Sequence, residues 1–250
     1  MPVGRKLREI YERAAMPADT RPPRAPAIWR LPHPVRAVVL DMDGTLLDTE
    51  RVYVETFIET VTPFGYTLPP EFLHALIGGS REQFQAGLRA HLGESFPYDD
   101  HRQAYTALRD ERLLAGVPMK PGVFDFLDAV QAYGLPVAVA TAATRAHAEA
   151  NLVRTGLRSR FEVVITRDDV EHSKPSPDIF LRAASGLGVA PETCLAVEDS
   201  YNGVRSAHAA GMMTVMVPDI VPADAEMFSL CVGVMDDLHA LREALARLMV

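Results

Sequence analysis

From Val35 onward, short apolar runs alternate with longer stretches of helical pattern. The runs cover 36–41, 136–141, 162–166, 193–198 and 213–217; the helical patterns lie at about 122–133, 144–156, 177–187 and 201–210. Runs this short and this rich in β-branched residues read as buried strands. Strands alternating with helices build βαβ units, and hence a parallel sheet with helices on both faces. The expected fold class is therefore α/β, a Rossmann-like parallel-sheet core.

One interval breaks the alternation. Between 51 and 116 the pattern is helical throughout, with Val54, Phe57, Ile58 and Val61 in one stripe and Phe72, Leu73 and Leu76 in another. Turn signals at Pro63, Gly65, Pro69-Pro70 and Gly78-Gly79 separate the pieces. An all-helical insert directly behind the first strand must stand over that strand's end. The expected organisation is thus a helical cap domain at 51–116, inserted into a core domain of 35–50 and 117–250. Residues 1–34 read as an extension. Leu7, Ile10, Tyr11 and Ala14 suggest a short amphipathic helix, and Pro17, Pro22, Pro23, Pro26, Pro32 and Pro34 then make an extended linker.

A hydrophobic content of 48% with 23% charged residues is that of a soluble globular protein. The net charge of -8 disfavours nucleic acid and anionic membrane as partners. Cys194 and Cys231 lack any CxxC neighbour and stand in segments that read as buried strands, so both are expected to be inert core thiols. No segment is apolar enough to span a bilayer and no apolar h-region is visible, so a cytoplasmic location is expected.

The polar groups at the strand ends carry the chemistry. Ala37-Val38-Val39-Leu40 runs into Asp41-Met42-Asp43-Gly44-Thr45, placing two acids at the carboxyl edge of a strand, where open α/β sheets bind ligands. Two residues apart in strand-like geometry, Asp41 and Asp43 would aim to one side and repel unless a cation lies between them. A solvated turn is the plainer alternative. Val137-Ala138-Val139-Ala140 ends on Thr141; this hydroxyl and the backbone N–H of Ala142 would hold an anionic oxygen, or Thr141 would cap a helix. Lys174, with Lys6 and Lys120 the only lysines of the chain, stands before Pro-Ser-Pro, either directed by that restricted backbone or exposed on a loop. Leu195-Ala196-Val197 leads into Glu198-Asp199-Ser200, where buried charges need a metal or a basic partner.

Together these groups describe a phosphoryl-transfer site. Asp41 suits an in-line nucleophile that forms an aspartyl intermediate, and Asp43 suits the acid that protonates the leaving oxygen and then takes a proton from water. Mg2+ on Asp41, Asp199 and a backbone carbonyl would screen the nucleophile from an anionic phosphate. Lys174 and Thr141 would hold the equatorial oxygens.

Asp41-x-Asp43-Gly44-Thr45, Thr141, Lys174 in Lys-Pro-x-Pro and Glu198-Asp199-Ser200, in this order, resemble the four motifs of the haloacid dehalogenase superfamily. The resemblance spans roughly 36–235 and points to the phosphatase and phosphomutase branch with a helical cap. It implies Asp41 as nucleophile, Asp43 as acid/base, and Mg2+ on Asp41, Asp199 and the carbonyl of Asp43, with Glu198 as a further ligand directly or through water. It also implies the strand order 3-2-1-4-5.

Within the superfamily, Asp43 speaks against the metal-free dehalogenases, and the absence of lysine between 51 and 116 against the phosphonate-cleaving branch. Gly79-Ser80-Arg81-Glu82 is similar to the phosphate-gripping cap loop of β-phosphoglucomutases, yet the cap histidine those enzymes carry twelve residues after the nucleophile is here Tyr53. Hydrolysis is thus favoured over mutase chemistry, with a non-catalytic phosphometabolite binder as the remaining alternative. Asp48-Thr49-Glu50-Arg51-Val52-Tyr53 and the segment 211–219 resemble phosphatases of pseudouridine monophosphate and are equally compatible with sugar-phosphate phosphatases. The expected substrate is a small phosphorylated metabolite, the expected state a monomer or weak dimer. Arg81 is the expected cap contact, or else a solvated helix start. Glu50 and Tyr53 stand near the entrance, Tyr53 with a packing role. Asp99-Asp100-His101 reads as a helix start and Asp168-Asp169 as a solvated loop.

Overall fold

A computed structural model describes residues 31–68, 72–73 and 81–249. Of the extension expected over residues 1–34, residues 1–30 lie outside the described residues, as does the loop at Gly79-Ser80. The sheet is parallel throughout, in the order β3-β2-β1-β4-β5-β6, with β1 Ala37–Leu40, β2 Val137–Thr141, β3 Val163–Thr166, β4 Cys194–Glu198, β5 Met213–Met216 and β6 Gly233–Val234. The first five strands stand in the expected order. The sixth is an addition, two residues long and too short to leave a pattern in the sequence.

Side-chain size assigns the faces. Along β2, Val137 and Val139 point to one side, Ala138 and Ala140 to the other, and β1 and β4 alternate in step. The bulky face packs on α4 (Val123–Ala132), α5 (Arg145–Arg154) and α9 (Leu238–Leu248). The small-residue face admits Ile179 and Phe180 of α6 (Asp178–Leu187) and Ala207 of α7 (Tyr201–Ala209), all 0% exposed. Alanines here leave room for large side chains arriving from the helix.

Between β1 and α4 the chain forms α1 (Thr49–Val61), α2 (Arg81–Leu92) and α3 (Tyr98–Ala115), which share a separate apolar cluster including Val54, Phe57, Leu88 and Phe96. The outgoing and returning segments run side by side: the Asp48 N–H donates to the Pro118 carbonyl at 2.9 Å, and the Lys120 N–H to the Leu46 carbonyl at 3.0 Å. This pairing stands α1 over the carboxyl edge of the sheet. A further helix, α8 (Ala225–Leu230), precedes β6.

Cys194 opens β4 and is buried as expected, but Cys231 is only half-buried and follows α8, not in a strand. Burial pushes the two thiols up to about 11 and about 12. Asp169 is not simply solvated: it accepts from the Thr166 N–H and hydroxyl, both at 2.8 Å, and pairs with Arg145. Among the described residues, no helix is long and apolar enough to cross a membrane.

Candidate active site

Register brings the acids together. Leu40 of β1 stands opposite Val197 of β4, so the next residues, Asp41 and Glu198, emerge side by side at the sheet's edge. The Asp41 N–H still donates to the Val197 carbonyl at 3.0 Å, which fixes its backbone although the strand has ended. Asp41 is 6% exposed, Glu198 0% and Asp199 4%. The strand ends at Leu40, and the turn that follows brings Asp43 to Thr49 of α1, while Asp41 and Asp43 line one cleft.

Lys174 enters from the loop before α6, over the ring of Phe180, and its ammonium pairs with the Asp41 carboxylate and with Glu198 Oε1 at 2.5 Å. It is buried, not an exposed loop charge. The other Glu198 oxygen accepts from the Asp199 N–H at 3.0 Å, the Ser200 N–H at 3.1 Å and the Ser200 hydroxyl at 3.0 Å. Two glycines make this packing possible. A Cβ at Gly203, in the first turn of α7, would fall 1.8 Å from the Glu198 carboxylate. A Cβ at Gly44, whose φ is +86°, would fall 2.3 Å from Asp199 Oδ2. Thr45 Oγ1 donates to Asp199 Oδ1 at 2.9 Å.

The charge of this cluster does not balance. Carboxylate oxygens of Asp41, Glu198 and Asp199 all lie within 4.8 Å of one another, facing a single ammonium. With all three ionised, two negative charges would be left over, the charge of one divalent cation, and oxygen-only donors suit a hard ion such as Mg2+. Burial pushes Asp41 up to about 8, with Lys174 pulling the other way. Burial also raises Asp199 well above the usual carboxylate range, followed by repulsion from Glu50, Glu198 and Asp41. Burial works against the Lys174 charge, but Asp41 and Glu198 outweigh it and hold the ammonium protonated. The donor set therefore fits a divalent cation.

Asp43 stands apart from the three clustered carboxylates. Its Oδ1 accepts from the Thr49 hydroxyl at 2.6 Å and from the Tyr53 hydroxyl at 3.3 Å. Tyr53 also lies 2.9 Å from His147 Nε2. Its hydroxyl is thus engaged at the site, beyond the packing role expected of it. In the sequence, Thr49 stands only within the stretch 48–53, with no role of its own, and nothing singles out His147 at all. A threonine in the first turn of a helix and a lone histidine on another carry no spacing signal, and only the fold brings them to Asp43.

These groups open on a cleft of about 860 Å3, lined among others by Asp41, Asp43, Tyr53, Thr141, His147 and Lys174. Thr141 ends β2 fully buried, with its hydroxyl accepting from the Ala143 N–H at 3.1 Å. The cap of α5 is Thr144 instead, whose hydroxyl accepts from the His147 N–H at 3.3 Å. Ala142 and Glu50 line the same cleft. Burial pushes Glu50 up to about 8, reinforced by Asp219 and Asp43. Arg81 opens α2, and its side chain lies outside the described residues. Arg109 and Tyr105 of α3 reach the cleft unannounced by any motif.

Comparison with known proteins agrees with this geometry. Residues 35–211 match the family model of haloacid dehalogenase-like hydrolases. The protein CbbY of Rhodobacter capsulatus is 37% identical over 195 residues, 74% of this chain and 86% of that protein. The fructose-1-phosphate phosphatase YqaB of Escherichia coli is 35% identical over 183 residues, 72% of this chain and 95% of that protein. The crystal structure of CbbY from Rhodobacter sphaeroides in complex with phosphate superimposes with a TM-score of 0.70 at 29% identity, covering 86% of this chain and 100% of that one. The chain belongs to the haloacid dehalogenase-like hydrolases, in their phosphatase branch.

Proposed function

We propose that the protein is a Mg2+-dependent phosphoric monoester hydrolase of small phosphorylated metabolites, sugar phosphates or nucleoside monophosphates such as pseudouridine monophosphate, acting through an aspartyl phosphate. The observation that carries this reading is the buried Asp41 carboxylate, paired with Lys174 beside two further acids and open to the cleft. The similarity to a fructose-1-phosphate phosphatase supports the substrate class.

An oxygen of Asp41 attacks phosphorus while the bond to the ester oxygen breaks. Asp43 gives its proton to that departing oxygen. Lys174, the Thr141 hydroxyl and the Ala142 N–H hold the phosphoryl oxygens. Water then attacks the aspartyl phosphate, Asp43 takes its proton, and inorganic phosphate leaves as the carboxylate of Asp41 is restored. A bound divalent cation, on Asp41 and Asp199 with the Asp43 carbonyl, would supply the positive charge that screens nucleophile from phosphate. Glu198 completes the acidic group and holds Lys174 in line.

The cap, 51–116, holds α2, α3 and α1 beyond its first two residues, over a core of 35–50 and 117–250; Arg81 from the cap and Glu50 from the edge of the core select substrate. The protein works as a cytoplasmic monomer or weak dimer. Tyr53, at the place of the mutase histidine, favours water as the final acceptor. Phosphate release from p-nitrophenyl phosphate and hexose phosphates should require Mg2+ and cease with chelator. Metal-independent release, or none at all, would overturn the reading, and conversion of β-glucose 1-phosphate to glucose 6-phosphate without free phosphate would make the protein a mutase.

A further inference from the structure

We infer that Tyr53 and His147 form a pair of positioning residues that hold the Asp43 carboxyl group through both halves of the reaction. The inference rests on the phosphatase reading above and deepens it. The Tyr53 hydroxyl lies between Asp43 Oδ1, at 3.3 Å, and His147 Nε2, at 2.9 Å. His147 is itself held: its Nε2 lies 2.9 Å from the Asn151 amide nitrogen, one turn further along α5, and Asn151 is 0% exposed. Tyr53 belongs to α1 and His147 to α5, so the contact ties the helix above the sheet's edge to a helix of the sheet layer.

Donor counting gives the pair its use. The Asn151 amide nitrogen can only donate, so His147 Nε2 serves as an acceptor, and the single Tyr53 proton lies between Nε2 and Asp43 Oδ1. Asp43 Oδ1 accepts whether or not Oδ2 carries the proton that passes to the leaving group and is later taken from water, so the same contacts hold the carboxyl group in both halves of the reaction. Thr49 contacts the same oxygen at 2.6 Å, so Oδ1 is the anchored atom and Oδ2 the one left for substrate.

A leaving group that needs a proton will feel the loss of this anchoring more than one that does not. Tyr53→Phe keeps the ring and removes the hydroxyl. It should lower kcat/KM for phenyl phosphate at least about tenfold more than for p-nitrophenyl phosphate, whose nitrophenolate departs without protonation. His147→Ala should show the same split, and His147→Gln, which restores a polar side chain, should recover part of it. Equal losses on both esters, the signature of a packing role, or no loss with either variant, would overturn the inference while leaving the phosphatase reading intact. If the unaltered protein with Mg2+ hydrolyses neither ester, the phosphatase reading falls, and the inference falls with it.

Discussion

Asp41, Glu198 and Asp199 stand at the ends of strands whose side chains are 0% exposed, whereas Glu50 and Tyr53 reach the same cleft from a half-exposed helix above it. The strand-end groups are bound to one another: Lys174 bridges Asp41 and Glu198, and Glu198 in turn gathers the backbone of residues 199 and 200. Thr49 and Tyr53 of α1 touch the site through their side-chain hydroxyls alone, both at Asp43 and Tyr53 also at His147. A scaffold that cannot relax suits the bond-making step, where small misplacements are costly. A helix that reaches the site by side-chain tips can change the others it presents to the cleft, such as Glu50, and so its substrate, with little disturbance of that step. Alterations below should therefore abolish chemistry, and alterations above should tune it.

Asp41→Asn offers the sharpest test. Turnover of p-nitrophenyl phosphate should fall by at least about three orders of magnitude, as for loss of other enzymic nucleophiles. The melting temperature should not fall, because a neutral amide replaces one charge of a crowded acidic group. Residual activity within tenfold of normal would remove position 41 from the chemistry.

Gly203→Ala comes next, and it tests the scaffold without changing any reacting group. A methyl group would land on the Glu198 carboxylate. The expected cost is about 1–3 kcal/mol of stability in denaturant titrations, typical of overpacking, with a parallel loss of activity as Lys174 loses its anchor. An alanine variant as stable and active as the parent would mean that the strand-end layer yields easily, and the contrast with α1 would fail.

The smallest effect belongs to Glu50→Gln. Burial raises the Glu50 carboxyl from its ordinary 4.5 to about 8 in the folded chain. A raised acid favours folding fully below its unfolded pKa and loses that contribution as pH climbs towards the folded value. The variant should therefore show a melting temperature that rises relative to the parent between pH 5 and pH 8, with kcat on p-nitrophenyl phosphate changed only modestly. A variant relatively less stable at pH 8 than at pH 5 would reverse the assigned sign.

Much of this was legible from pattern. Buried parallel strands must be apolar and short, so the runs 136–141 and 193–198 announced themselves, and polar residues at their ends had to lie on one edge. Asp41, Thr141 and Asp199 could be named on that ground, and Lys174 on the scarcity of lysine and the Pro-Ser-Pro that follows it. Gly203 could not, because its role depends on how closely α7 approaches Glu198. The sixth strand left too little sequence to read, and Cys231 passed for a strand residue because apolar neighbours surround strands and helix ends alike.

Periodicity and composition, acting along the chain, determined the α/β class, the helical insert and the identity of the strand-end acids, since burial imposes those patterns locally. Which acids would cluster, and which would be drawn away, depended on contacts between distant segments. The register of β1 against β4 joined Asp41 to Glu198, while the turn after Leu40 delivered Asp43 to Thr49 and Tyr53. His147 reaches Tyr53 from 94 positions along the chain, a distance that only tertiary packing closes.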